Sequence, residues 1–148
     1  MNYKHLLAFY FYADGLNGAL DSACVRLAVS SADHLKGGEY YAEKICAVIE
    51  AKGALNELWL FLDGALSSMK ESDRTALKAY ADSRGKRERL AATSAAGCDE
   101  KAVHRSLMKF SRRVSGRLER YAEQVKVLRE YYCLLRVPER KACGKASR

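Results

Sequence analysis

Pro138 is the only proline of 148 residues, so nothing ahead of it forbids continuous helix. The residues that fill the chain, Ala, Leu, Lys, Arg and Glu, lose little side-chain freedom in a helix. Apolar positions repeat at helical spacing. Tyr41, Ile45, Val48, Lys52, Leu55, Trp59, Leu62 and Leu66 step alternately by four and three, a heptad stripe interrupted once by Lys52. Leu58 and Phe61 widen that stripe, so the helix is expected to be buried against several neighbours. Val103, Leu107, Phe110, Val114, Leu118, Tyr121, Val125, Leu128, Tyr132 and Leu135 continue the pattern in a last helix that begins at Asp99. Ser115-Gly116 is its one plausible break. The expected fold is all-α: a helical bundle with long helices and a C-terminal helix-turn-helix.

Punctuation between these segments is sparse. An apolar, aromatic stretch over 3–30 is expected to break at Asp14-Gly15, and Ser30 to Gly38 reads as a loop because paired glycines interrupt helices. Ser67 to Asp73 reads as a turn, with Ser68 or Ser72 capping a short helix over 71–83 whose Leu77 and Tyr80 face inward. After a break at Ser83 to Lys86, a helix over 86–96 built from small residues ends at Gly97. The predicted organisation is an N-terminal helical region (1–66), a helix-turn-helix region (67–121), and a helical extension with a basic tail (122–148).

Charge divides the chain more sharply than hydropathy does. Residues 1–83 carry 8 Lys and Arg against 11 Asp and Glu, a net of −3; residues 84–148 carry 18 against 7, a net of +11. A basic C-terminal half is suited to a polyanion, nucleic acid being the commonest. The five cysteines include no CxxC pair and the three histidines are far apart, so no metal site is expected. The cysteines read as reduced, mostly core-filling thiols. The apolar run Leu6 to Ala13 is too short for a membrane span and lacks a small-residue cleavage site. A cytoplasmic protein without membrane contact is expected.

Two helices joined at a glycine, 86–96 and 99 onward, have the layout of a helix-turn-helix. Gly97 supplies the turn, Ala92, Thr93 and Ala96 permit close crossing, and Val103 and Leu107 pack back. Asp99 caps the second helix, with Glu100 beside it where negative charge suits the dipole. With Val103 and Leu107 inward, Lys101, Ala102, His104, Arg105, Met108 and Lys109 face out. Arg112 and Arg113, then Arg117 and Arg120, continue a surface able to reach phosphates and base edges. Arg84, Lys86, Arg87 and Arg89 flank the first helix of the pair and can clamp the DNA backbone.

The order of these features from Leu66 to Tyr121 resembles region 4 of sigma-70-type sigma factors: Glu71-Ser72-Asp73-Arg74, then Leu77 and Tyr80, a glycine-containing break, a positioning helix, Gly97, and EKAVHRSLMKFSRRV as recognition helix. It is most similar to the small sigma-like regulators of Gram-positive phages and conjugative elements. The resemblance implies promoter or operator recognition by Lys101, Ala102, His104, Arg105, Ser106 and Lys109, with RNA polymerase a candidate partner. No region 2 is recognisable ahead of it, so a regulator or accessory factor is expected, not a complete sigma factor.

Other classes fit less well. There is no P-loop, HExxH or dinucleotide glycine motif, and the paired carboxylates sit at helix starts where capping explains them. No cofactor and no catalytic residue is expected; His104 has no partner at motif spacing, and Cys46, Cys98 and Cys133 read as packing thiols. Tyr40, Tyr41, Tyr131 and Tyr132 read as core and interface aromatics instead of base-stacking platforms. The alternative is an all-helical adaptor whose long helices pair within the chain or across a homodimer, without specific DNA binding.

Overall fold

A computed structural model describes residues 2–32, 37–83, 97 and 99–136, and all regular structure among them is helical. Six α-helices follow in order: α1 (Tyr3–Phe11), α2 (Ala13–Ala32), α3 (Gly38–Ser67), α4 (Glu71–Asp82), α5 (Glu100–Val114) and α6 (Ala122–Arg129), with 3-10 turns at Leu118–Tyr121 and Tyr132–Arg136. None is long and apolar enough to cross a membrane.

α1 is the central element. Leu6, Leu7, Ala8 and Phe9 are all buried, and four consecutive buried residues mean a helix covered on every side. Its cover comes from α2, α3, α4 and the C-terminal 3-10 turn. The Asn2 side chain caps it by accepting from Lys4 N at 2.9 Å. The break that follows falls at Tyr12, two residues before the expected Asp14-Gly15. Asp14 instead lies in the first turn of α2, where its charge suits the helix dipole, and Gly15 is absorbed into the helix. The Tyr12 hydroxyl donates to the Asp82 carboxylate at the far end of α4.

α2 and α3 form a long antiparallel hairpin. α3, about 45 Å long from its 30 residues, is the frame on which the other helices lie. Its buried residues, Tyr41, Val48, Ala51, Ala54, Leu55, Leu58, Leu62 and Leu66, follow the expected stripe and widen it with alanines. Ile45, Lys52 and Trp59 lie half-buried at its edge. The Trp59 ring stacks on Tyr10 at 5.6 Å, and the Tyr10 hydroxyl donates to Asp63 at 2.7 Å. Burial first, then that hydrogen bond, push the Tyr10 phenol up to about 12.

α4 begins where expected, but Lys70 occupies its N-cap without a side-chain bond. Neither serine caps it. Ser68 donates to Ala65 O at 3.0 Å and accepts from Arg113. The last apolar run does break at Ser115-Gly116: α5 ends at Val114, and the chain proceeds through short helical turns to Leu135. Buried residues from every element, from Leu6 to Leu135, form one cluster with fully buried Phe110 among the largest side chains. Described residues of 1–66, 67–121 and 122–148 all contribute to this cluster.

Two expected packing thiols are corrected. Cys46 and Cys133 are exposed and Cys24 is half-buried. Cys46 points outward because α3 turns a different face to the core. Of the tyrosines, Tyr41 is buried, Tyr131 and Tyr132 half-buried, and Tyr40 exposed.

Candidate nucleic-acid interface

α5 is set by its first residues. Gly97 has φ +74°, in the left-handed region that favours glycine. Asp99, extended at the N-cap, accepts from Ala102 N at 2.7 Å, and Glu100 follows in the first turn. Asp99 is thus the N-cap its sequence context predicts.

Val103, Ser106, Phe110 and Val114 are the buried face of α5, spaced by three and four. Leu107, expected as a main anchor, is only half-buried; Phe110 goes deepest, its ring edge-on to Tyr3 at 5.9 Å. Directly opposite, Lys101, Arg105, Met108 and Arg112 make one exposed row, with His104 beside it. Met108 is 44% exposed between two arginines. Glu100 is the one carboxylate of α5, against five Lys and Arg; past its end Arg117 and Arg120 are also exposed, Arg117 beside Arg113 on the side of α3.

Ser106 does not belong to that surface. It is 2% exposed and donates to Asp73 Oδ1 of α4 at 2.8 Å, because it lies on the same side as Val103 and Phe110. Lys109 leans the same way, its Nζ 3.3 Å from Asp73 Oδ2. Burial raises the Asp73 carboxyl, but the hydrogen bonds from Ser106 and Lys109 and the charges of Lys109 and Lys70 together outweigh it, and the group sits below its usual range. Arg113 also turns away from the outer row, to Ser68 at the end of α3. Ala102 is half-buried at the edge of the face.

Between α4 and α5 these contacts leave an open cleft of about 510 Å³. Lys70, Arg105 and Lys109 supply its cations; Asp73 and Asp99, its carboxylates, are both engaged internally. Sequence reasoning missed the roles of Lys70 and Asp73. Asp73 reads locally as a helix-start acid, and only the packing of α4 on α5 gives it another partner. Arg84, Lys86, Arg87, Arg89, Ala92, Thr93 and Ala96, the expected first helix of the pair with its flank, lie outside the described residues, as do Cys98 and the tail beyond Arg136. No group of three or more His, Cys, Asp and Glu suited to a metal occurs among the described residues.

No protein-family model, curated protein or solved structure matches the chain.

Proposed function

We propose that the chain binds double-stranded DNA through the outer face of α5, as a transcriptional regulator or sigma-like accessory factor that reads a promoter or operator. The observation that carries this reading is the row Lys101, Arg105, Met108 and Arg112, exposed opposite the buried face and free of carboxylates. Fifteen helical residues, about 22 Å, suit a major groove about 12 Å wide. Lys101 and Arg105 near the start of the helix reach base edges, Met108 offers an apolar contact to a thymine methyl, and Arg112 and Arg120 contact phosphates. Lys70 on the cleft adds positive potential beside the groove. The resemblance to sigma region 4 supplies the expectation of promoter recognition, with RNA polymerase as a partner.

Binding to a pool of genomic fragments, followed from about 50 to 200 mM salt, tests it. Affinity falls steeply with salt; Lys101→Ala/Arg105→Ala weakens binding with loss of discrimination between sites, and Arg112→Ala flattens the log–log slope by about 1. An unchanged slope and unchanged site preference would refute the assignment. Absence of DNA binding at low salt would favour the adaptor alternative, for which the exposed face of α3 is the supporting feature.

A further inference from the structure

The heptad stripe that the sequence offers for pairing is spent within the fold, but α3 carries a second one. Ala42, Cys46, Ile49, Gly53, Asn56, Leu60, Gly64 and Ser67 are exposed and step by four and three along the outer side of the helix. Ile49 and Leu60 are 57% and 58% exposed, unusual for large aliphatic side chains on one helix face. Gly53 and Gly64 sit inside the same helix, where each costs about 1 kcal/mol relative to alanine. The fold does not need them: a Cβ built at either meets nothing within 4 Å. Small residues between large apolar ones are what a second helix requires for close approach.

We propose that this face pairs with the same face of a second copy, the two α3 helices running antiparallel about a two-fold axis. Ile49 and Leu60 are equidistant from the point between Ala54 and Leu55, which is also the middle of the stripe from Ala42 to Ser67. An antiparallel dyad there places Ile49 of each copy on Leu60 of the other and Gly53 opposite Asn56, a polar residue in the seam of the kind that fixes register. Charge selects the same arrangement. Glu43, Glu50 and Glu57 form a row exactly one heptad apart on one flank of the stripe, with Glu39 at its N-terminal end. On the same flank at the C-terminal end, Arg113 and Arg117 stand over a groove of about 550 Å³ with Leu60, Gly64, Ser68 and Tyr121. Antiparallel pairing brings Glu39 and Glu43 of each copy to these arginines. It also brings Glu50 near Glu57 of the other copy by the dyad, where Glu57 already accepts from Gln124 at 2.6 Å. A strip of about 45 by 12 Å buries about 1,000 Å² over both copies, the lower end of specific interfaces, so the expected association is weak and reversible.

Sedimentation equilibrium of the full chain from about 1 to 200 μM, under reducing conditions, gives the expected monomer–dimer equilibrium. Leu60→Asp weakens it at least tenfold, with helicity and melting of the monomer unchanged because Leu60 is exposed there. The two glutamates change it in opposite directions: Glu43→Gln weakens association and Glu50→Gln tightens it, each about threefold. Gly53→Ala raises monomer melting while weakening the dimer. With the natural cysteines replaced by serine, Ile49→Cys and Leu60→Cys chains mixed together link to each other through a short bis-maleimide, and neither links to itself. A monomer throughout the range, an undiminished dimer in Leu60→Asp, the same sign for both glutamates, or self-linking of Ile49→Cys would each overturn the proposal.

Discussion

Replacing Asp73 by alanine tests what holds the basic face in place. The carboxylate accepts from Ser106 at 2.8 Å and Lys109 at 3.3 Å, so its loss strands a hydroxyl that is 2% exposed. An unsatisfied buried hydroxyl costs about 1–3 kcal/mol. The Lys109 pair adds only about 0.2–1 kcal/mol, since that side chain is half exposed. A destabilisation of about 2 kcal/mol is expected, a fall of about 6 °C in melting temperature for a domain this size. Ser106→Ala removes the stranded donor, so the double variant should recover about 1 kcal/mol relative to the sum of the singles, measured by urea denaturation as a double-mutant cycle. The cycle also has a pH signature. The folded carboxyl is lowered below its ordinary value of 3.8, so its stabilisation is complete above that value and fades as pH falls through the lower, folded one. Additive single variants at pH 7, or a coupling that persists unchanged to pH 2, would refute the assignment of Asp73 as the tie between α4 and α5.

Gly97→Ala places a side chain at φ +74° and should cost about 1 kcal/mol, read as a drop of about 3 °C in melting temperature. Phe110→Ala empties the deepest site on α5 and should cost about 3–5 kcal/mol, with loss of cooperative melting if the chain has less stability than that to lose. Tyr10→Phe removes the donor to Asp63; ultraviolet titration of the parent should show one phenol ionising only near pH 12, and the variant should lack it. Because that phenol is raised in the folded state, its contribution holds below pH 10 and is lost between about 10 and 12, so the parent and Tyr10→Phe should converge in stability across that window.

Local rules made much of the chain legible. The absence of proline before 138 and the steps of three and four are properties of neighbouring residues, and they predict helices wherever they occur. α3, α4 and the start of α5 are read this way almost to the residue, with Asp99 as cap. The halt at Ser115-Gly116 follows from the same chemistry. The Asp14-Gly15 expectation failed because a glycine in a helix is merely costly, and packing around α1 moved the break to Tyr12.

What tertiary structure alone decided is which face of each helix turns inward and what meets it there. Ser106 is polar and reads as an outer residue, yet it lies over α4, where Asp73, 33 positions earlier in the chain, makes its burial tolerable. α3 has two heptad stripes, and periodicity cannot rank them. The contacts of α1, α2, α5 and α6 claim one, leaving Ile49 and Leu60 on the other in solvent. The charge split of −3 and +11 is composition and needs no fold. That Lys101, Arg105 and Arg112 stand in one outward row, while Lys109 and Arg113 turn back to Asp73 and Ser68, depends on how α5 is rotated in its seat, and Phe110 sets that rotation.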